Sequence, residues 1–501
     1  MTSQYSQLLN RIQEIHDLQK AAALLSWDRQ VIMPEAGDEM RVKQITTLTS
    51  LAHSMYTDDG VGQLIEKAAE ELEGADYDSN EASLIRYLQE NYEEERRLPD
   101  DFVSRRSEVS GKAHRIWVHA REANDFDAFA PWLEQIVELG REMAEHYGYD
   151  EHIYDPLLDK YERGARTADV RVLFEATKAA TVPLLKAIGE SDRQVSDDLL
   201  RQSYDVEAQK EFARYIAQAV GYDLNRGYLG TAVHPFASSF SRDDARITSR
   251  WYPDYLGPSL FGTLHESGHA IYEQNTHADL ARTPLARGTS SGIHESQSRL
   301  FENYIGRSRS FWQAHFPRLQ ETFPAQLQDA TVEQFYEAIN KVQPSTIRVE
   351  ADELTYNLHI ILRFELEQEL LTGGIAVKDL PDAWNTKMQE LLGVTSPSDR
   401  EGVLQDIHWT WPSFGYFPTY ALGNLYAAQI FAAAQEQAPA ISAELEAGKT
   451  TLLLSWLRES IHQHGRKFKP TELIERATGS SLSHQPFVDY VTAKFSDIYG
   501  L

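Results

Sequence analysis

The chain has 501 residues, of which 76 are acidic and 48 are basic, so its formal net charge is −28 at pH 7. Nucleic acids and anionic membrane surfaces both require a basic protein face, and this charge argues against either partner. The absence of cysteine excludes disulfides, cysteine-ligated zinc and a thiol nucleophile.

The start of the chain and its hydropathy bear on localisation. Residues 1–20 are polar and amphipathic, and they lack the basic and apolar regions of a signal peptide. The sequence contains no run of about 18 apolar residues, which a membrane-spanning helix needs. We therefore expect a cytoplasmic protein without a membrane segment.

Apolar residues recur at helical spacing over most of the chain, which predicts a mainly α fold. In the first half we expect helices at about 4–26, from about 38 to 56, and at 61–74, 79–97, 100–122, 126–147, 167–190 and 206–221. In the second half we expect helices at about 293–309, 311–320, 332–342, 348–372, 380–394, 417–436, 449–464 and 485–498. Low-complexity segments, fixed-period repeats and flexible linkers are absent from the sequence, so we expect one large helical domain over residues 1–501.

The helical pattern lapses between residues 228 and 255. Residues 229–236 and 245–252 have the composition of short strands, and the polar residues 241–244 predict a turn between them. A small β-sheet is therefore expected directly before the helix that carries the next motif. In metallopeptidases, an edge strand beside the metal can align an extended peptide through backbone hydrogen bonds.

Residues 263–273 contain an H-E-x-x-H motif within a helical pattern. His265 and His269 lie one turn apart on one helix face, so both imidazoles can bind the same metal ion. Glu266 lies about 100° around the helix, where its carboxylate can reach a water on the metal. Two neutral nitrogen ligands, a carboxylate base and an open coordination position are typical of a zinc hydrolase.

A catalytic zinc site needs a third protein ligand. Glu273 shares the helix face of the two histidines, but three successive turns span about 11 Å, whereas ligands lie about 2 Å from one ion. Glu273 is then a partner of a ligand or a surface residue. Glu295 lies near the start of the next predicted helix and is the favoured third ligand, and Glu302 on the same helix is its competitor.

Two further segments carry candidate substrate contacts. Arg348 can form a bidentate pair with a substrate carboxylate, although a salt bridge to Asp352 at i,i+4 fits the spacing as well. Residues 402–409 bring an amide, a carboxylate, an imidazole and an indole close together, and they include Gln405 and His408. A buried, hydrogen-bonded histidine beside a tryptophan would give the same pattern.

Several motifs occur together, in an order and at a spacing that resemble the carboxypeptidase Taq family of metallocarboxypeptidases. They lie at residues 27–28, 33–34, 234–236, 244–248, 265–269, 294–297, 347–352 and 402–409. The resemblance covers most of the chain and rests on independent motifs, none of which departs from the family pattern.

The resemblance implies a mostly helical fold with a deep active-site groove, similar to that of neurolysin-type peptidases. It implies a homodimer that removes single residues with broad specificity from peptides with a free C-terminus. It supports Glu295 over Glu302 as the third ligand, and it implies one Zn²⁺ ion per chain, with Co²⁺ as the alternative. The candidate substrate-binding residues within the motifs are Arg348, Asp352, Gln405, His408 and Arg246.

The motif and the resemblance together predict peptide hydrolysis by a metal-activated water. Glu266 is the predicted general base, which takes a proton from the water and passes it to the leaving amine. Tyr420 or His234 is expected to donate a hydrogen bond to the developing oxyanion. An arginine is expected to bind the terminal carboxylate of the substrate.

Two alternatives stay open at this point. An oligopeptidase that cuts internal bonds would share the metal helix but would lack the arginine for a terminal carboxylate. A non-catalytic helical interaction protein could retain the motif as a relic. Such a relic would be expected to lose one of the two histidines or the glutamate, and all three residues are intact.

Overall fold

Helices make up most of the structure, a computed structural model that describes residues 3–501. The chain is 68% helix and 3% strand, so the predicted mainly α class is confirmed. It forms two compact units, each built from separated segments. The first comprises the chain up to Arg96, Asp197–Ile339 and Ile430–Ser480, and the second comprises Arg97–Ser196, Asn340–Gln429 and Ser481–Leu501. The single domain expected over residues 1–501 stays a prediction.

The first unit contains the helices that surround the H-E-x-x-H motif. Its α-helices are Gln4–Val31, Asp38–Tyr56, Asp59–Glu71, Asn80–Arg96, Val206–Ala219, Gly257–Gln274, Ser291–Arg299, Arg309–Thr322, Pro324–Leu327, Val332–Ile339, Ala440–Glu446, Thr451–Ser460 and Pro470–Thr478. Its four N-terminal helices pack on one apolar cluster, to which Leu280 and Leu285 also belong. That cluster ties the start of the chain to the segment that follows the motif.

The second unit is helical throughout its described elements. Its α-helices are Asp100–Ala123, Phe126–Tyr147, Asp155–Asp159, Thr167–Glu190, Tyr356–Thr372, Leu380–Leu392 and Gln485–Tyr499, together with residues 418–429 of the helix Pro418–Gln437. The predicted start at residue 126 is correct because the Asp125 carboxylate caps that helix by accepting the N–H of Ala128. Within residues 3–501, every helix is too short or too polar to cross a lipid bilayer.

A small sheet precedes the motif, as the sequence predicts, but it has three strands where two were expected. Its strands are β1 (Leu229–Thr231), β2 (Ala237–Ser241) and β3 (Asp244–Ser249), in the order β1-β3-β2. β1 pairs with β3 in parallel, and β2 pairs with β3 in antiparallel orientation. The predicted strands do not reach their expected ends: β1 stops at Thr231 instead of residue 236, and β3 stops at Ser249 instead of residue 252.

The helix Gly257–Gln274, which we call the HExxH helix, is buried along most of its length. Pro258 lies in its first turn, where a missing N–H has no cost. The hydroxyls of Thr263 and Ser249 are 3.1 Å apart, which joins the helix to β3. The Ser259 hydroxyl donates to Oε1 of Gln209 at 2.7 Å, which joins it to the helix Val206–Ala219. The motif is therefore carried by a helix fixed on two sides.

The HExxH helix and the helix Ser291–Arg299, which we call the Glu295 helix, touch through their backbones at Gly268. A Cβ atom at residue 268 would lie 2.4 Å from the carbonyl oxygen of Gln297 and 2.7 Å from Cα of Ser298. Both neighbours are backbone atoms, which can move away only if the Glu295 helix shifts. Glycine at this position therefore sets the separation of the two helices.

The continuous helix predicted over 293–309 is wrong in part. The α-helix ends at Arg299, and the π-helical segment Leu300–Ile305 follows it. A π-helix bonds residues i and i+5 and is wider than an α-helix, so it rotates the later side chains around the axis. Glu302 lies in this segment.

The helix predicted over 348–372 also begins later than expected. Arg348–Glu350 is a short 3₁₀ turn, and the α-helix runs from Tyr356 to Thr372. The Asp352 carboxylate accepts the backbone N–H groups of Leu354 and Thr355, each at 3.0 Å. This local bonding competes with helix formation, so residues 351–355 stay outside the helix.

We expect Gly268→Ala to lower the free energy of unfolding by about 1–3 kcal/mol, because the added methyl group overpacks a backbone contact. Gly262→Ala on the same helix is the control, since its new Cβ would be 3.9 Å from its nearest neighbours. Alanine there should be neutral or stabilise by up to about 1 kcal/mol. Urea denaturation followed by circular dichroism measures both variants. A Gly268→Ala protein as stable as the wild type would contradict the close contact.

Candidate metal centre

The three predicted metal ligands lie together in the first unit. The ligand atoms of His265, His269 and Glu295 are all within 4.8 Å of one another. Nε2 of His265 and of His269 lie 3.7 and 3.5 Å from Oε2 of Glu295. These distances exceed those of good hydrogen bonds. Two donors at about 2.1 Å from one ion in a tetrahedral site lie about 3.4 Å apart, so the group fits a shared divalent metal.

Glu302, the competitor for the third ligand position, lies outside this group. Its Oε2 is 2.9 Å from Nδ1 of His265, the ring nitrogen that faces away from Glu295. A carboxylate on the far nitrogen of a metal-bound histidine fixes the tautomer and orientation of the ring. The π-helical segment thus places Glu302 as the partner of a ligand.

Arg299 stabilises the ionised forms of Glu295 and Glu302. Its Nε donates to Oε1 of Glu295 at 2.7 Å, and its Nη1 donates to Oε2 of Glu302 at 3.2 Å. Burial by itself raises the pKa of Glu295, but Arg299 and the two ligand histidines bring it below its usual range. Burial likewise opposes the shift at Glu302, where Arg299 and His265 lower the pKa to about 2. An ionised Glu295 is the form that binds a metal.

Glu266 has the opposite environment on the same helix. It is 6% exposed, and burial raises its pKa to about 7, with His269 opposing this shift and Glu295 and Glu302 adding to it. A carboxylate whose pKa lies near neutral pH is well suited to accept a proton and release it again. The pKa of Glu266 is therefore raised, whereas the pKa values of Glu295 and Glu302 are lowered.

Sequence reasoning missed two residues that contact the ligands, Arg299 and His294. Arg299 lies four residues after Glu295, and this i,i+4 spacing is a signal that could have identified it. His294 lies between His269 and Glu273, with its ring nitrogens 2.6 Å from Nδ1 of His269 and 2.8 Å from Oε1 of Glu273. These contacts join two helices, and local spacing gives no signal for them. Glu273 is accordingly a buried residue that bonds His294.

Arg348 lies in the second unit, where it forms an ion pair with Asp406. Its Nε and Nη2 donate to Oδ1 of Asp406 at 3.1 and 2.9 Å, and Arg363 donates to Oδ2 at 2.7 Å. The alternative pairing of Arg348 with Asp352 is therefore wrong. Burial by itself raises the pKa of Asp406, but the guanidiniums of Arg348 and Arg363 hold this pKa well below its usual range. Two cations share one carboxylate, so these three buried side chains carry a net positive charge.

Three other predicted substrate contacts belong to the same cluster. Oε1 of Gln405 accepts the backbone N–H of Arg348 at 2.9 Å. Nε2 of His408 lies 3.3 Å from the hydroxyl of Tyr420, and the Arg348 guanidinium lies 5.1 Å from the centre of the Tyr420 ring. Burial lowers the pKa of His408 to about 4, although Asp406 opposes the shift, so this imidazole is neutral at pH 7.

The remaining candidates have other surroundings. The Asp352 carboxylate accepts backbone N–H groups on either side of it in the chain, and so it holds the loop before the helix Tyr356–Thr372. Arg246 forms a two-point pair with Asp244 at 2.7 and 2.9 Å and lies 4.5 Å from the ring centre of Trp27. His234 is exposed in the bend between β1 and β2.

Comparison with protein families identifies relatives of this chain. A family model described as carboxypeptidase Taq (M32) metallopeptidase matches residues 7–495. The chain is 40% identical to Thermostable carboxypeptidase 1 of Thermus thermophilus and 39% identical to Carboxypeptidase 1 of Bacillus subtilis. The alignments cover 99% of this chain in both cases, and 99% and 98% of the two relatives.

Solved structures give the same assignment. The crystal structure of an M32 carboxypeptidase from Deinococcus radiodurans R1 matches with a TM-score of 0.96 at 39% identity, over 99% of this chain and 100% of that one. A Pyrococcus furiosus carboxypeptidase matches with a TM-score of 0.95 at 37% identity, over 99% of both chains. Since sequence and fold agree over nearly the whole length, the chain belongs to the carboxypeptidase Taq (M32) family of metallopeptidases and is a metallocarboxypeptidase.

Proposed function

We propose that this enzyme releases single amino acids from the free C-terminus of peptides, with broad specificity, and that Glu266 is its general base. The observation that carries the proposal is the convergence of His265, His269 and Glu295, with Glu266 buried on the helix of the two histidines. The relatives named carboxypeptidases support an activity at the chain end.

His265, His269 and Glu295 would hold one divalent ion. Two imidazole nitrogens and a carboxylate oxygen are a donor set of catalytic zinc sites, so we propose zinc, with cobalt as the alternative. When bound, the ion supplies Lewis acidity, which lowers the pKa of a water and polarises the scissile carbonyl. Glu302 keeps the ring of His265 oriented through its Nδ1 atom.

Glu266 moves the proton during hydrolysis. Its carboxylate accepts a proton from the attacking water and then gives it to the nitrogen of the leaving amino acid. Burial raises the pKa of Glu266 to about 7, which supports both halves of this transfer, since the group can bind and release a proton near neutral pH. Tyr420 is our preferred donor to the developing oxyanion, and His234 is the other candidate.

The terminal carboxylate of the substrate needs a cation, and the second unit contains a suitable cluster. Arg348, Arg363 and Asp406 are buried with one positive charge in excess. A second carboxylate would neutralise that charge and form charge-assisted hydrogen bonds. We therefore propose Arg348 as the residue that recognises a free C-terminus, with Gln405 and His408 fixing its surroundings.

Two further features stay predictions. They are the homodimer, which the family resemblance implies, and the cytoplasmic localisation, which we expect from the polar residues 1–20 and the lack of a long apolar run. Sedimentation analysis of the purified protein would establish its oligomeric state.

Glu266→Gln is expected to keep the fold and the bound metal, because the substitution preserves size and leaves the three ligands in place. The loss of the base should lower kcat by about 100- to 10,000-fold. Peptide turnover and metal content, measured on the same sample, provide the test. Glu321→Gln, at an exposed ion pair with Arg318, is the control. If Glu266→Gln retains most of its turnover, Glu266 is not the base.

Amidation of the peptide C-terminus should slow cleavage by about 10- to 150-fold, because a charge-assisted contact is lost. A mass-spectrometric ladder on matched free-acid and amide peptides measures this ratio. The expected result is successive loss of single residues from the free acid, with the amide reacting more slowly by this factor. Rapid internal cleavage of the amide would support an endo-acting oligopeptidase instead.

Arg348→Met should lower kcat/KM for the free-acid peptide by about 10- to 150-fold and leave the slow reaction of the amide nearly unchanged. The discrimination between acid and amide therefore falls in this variant. Arg171→Met, which removes a guanidinium bonded to Gln368 in the same unit, is the control. A wild-type ratio in Arg348→Met would assign carboxylate recognition to another residue.

A further inference from the structure

His294 connects the ligand His269 to a buried carboxylate. Its Nδ1 lies 2.6 Å from Nδ1 of His269, and its Nε2 lies 2.8 Å from Oε1 of Glu273. Both contacts are at hydrogen-bond distance, so both ring nitrogens of His294 are engaged. Side chains from the two helices thus form a chain in the order His269, His294 and Glu273.

The proton positions along this chain follow from the ligand geometry. Nε2 of His269 faces Oε2 of Glu295 at 3.5 Å, so Nε2 is the ring nitrogen that would bind a shared ion. A neutral imidazole bound through Nε2 carries its proton on Nδ1. His269 must then donate to Nδ1 of His294, and His294 must donate from Nε2 to Glu273. Only one tautomer of each ring satisfies all the bonds.

The surroundings of His294 hold its ring in this orientation. The ring of Tyr272 lies 5.4 Å from it, centre to centre. On another side, a Cβ at Gly288 would lie 2.6 Å from Cδ2 of His294, so glycine permits the backbone to approach the ring. The N–H of Gly288 also donates to Oε1 of Glu273 at 3.2 Å, which fixes the far end of the chain.

The two ligand histidines are oriented by different means. His265 bonds a carboxylate directly, whereas His269 bonds a neutral imidazole that is itself bonded to a carboxylate. Glu273 therefore acts on the metal group only through His294. Replacing His294 interrupts that connection without removing a ligand.

We propose that His294 is a positioning residue. It fixes the ring of His269 as a metal ligand by accepting a hydrogen bond from its Nδ1–H, and Glu273 sets the tautomer of His294. The inference rests on the proposed role of His269 in metal binding. It extends that role to two residues that do not themselves touch the ion.

Two isosteric variants separate the acceptor role of His294 from its donor role. In His294→Asn, the side-chain oxygen can take the place of Nδ1 and accept from His269, but the bond to Glu273 is lost. In His294→Gln, the amide N–H can take the place of Nε2 and donate to Glu273, but the acceptor for His269 is lost. The Zn²⁺ dissociation constant of each protein is measured by competition with a chelating dye.

We expect His294→Gln to weaken Zn²⁺ binding by about 10- to 100-fold and His294→Asn to stay within about threefold of the wild type. Equal affinities for all three proteins would overturn the proposal, as would equal losses in the two variants. His315→Asn and His315→Gln are the controls, because both nitrogens of His315 are bonded in the same unit, to Tyr215 and to the carbonyl of Gly448. These controls should change the unfolding temperature and leave Zn²⁺ affinity unchanged.

A measurement on the wild type makes the test independent of how the variants fold. In the zinc-loaded protein labelled with ¹⁵N-histidine, the nitrogen shifts of His294 should show Nε2 protonated and Nδ1 unprotonated. The opposite tautomer or a doubly protonated ring would overturn the proposal.

The proposed function is tested separately on peptides. A wild-type protein that binds Zn²⁺ but releases no C-terminal residue would contradict the proposed function, and the affinities of the variants would still decide the role of His294. If replacing His269 leaves the Zn²⁺ affinity unchanged, the proposed role of His294 is overturned, whatever the peptidase activity of the wild type.

Discussion

The grouping of His265, His269 and Glu295 depends on the backbone contact between the HExxH helix and the Glu295 helix. His265 and His269 come from one helix and Glu295 from the other, so the separation of the helices sets the separation of the donors. Gly268 lies between the two histidines and leaves no room for a side chain. Gly268 therefore allows the close approach that brings the two histidines near Glu295.

Burial and charge then give similar carboxylates different protonation behaviour. Burial acts on Glu266, Glu295 and Glu302 alike, and Arg299 lies close enough to donate hydrogen bonds to two of them. Glu295 and Glu302 stay ionised, whereas the pKa of Glu266 rises to about 7. Pairs of titratable groups whose surroundings separate their pKa values are typical of acid–base catalysis. The charge of Arg299 thus contributes to the low pKa values of Glu295 and Glu302.

The second unit buries two guanidinium groups, those of Arg348 and Arg363. Arg348 and Arg363 share the Asp406 carboxylate, to which they come from positions 58 and 43 residues away in the chain. A buried charge is stable only when it is paired and hydrogen-bonded. One carboxylate for two cations leaves an excess positive charge. The neutral His408 beside them adds no further charge.

The sequence determined what depends on helical spacing and on motif order. It predicted the mainly α class and the small sheet, both confirmed, and it placed His265, His269 and Glu295 in one group, which the structure brings together. Family membership set aside the non-catalytic alternative. The tertiary structure decided the partners: Glu302 for His265, Asp406 for Arg348 and His294 for His269. The first of these involves a residue in the π-helical segment, the second joins residues 58 positions apart, and the third joins two helices. Spacing along one helix fixes neighbours three or four residues apart, whereas contacts between elements depend on packing that no local pattern encodes.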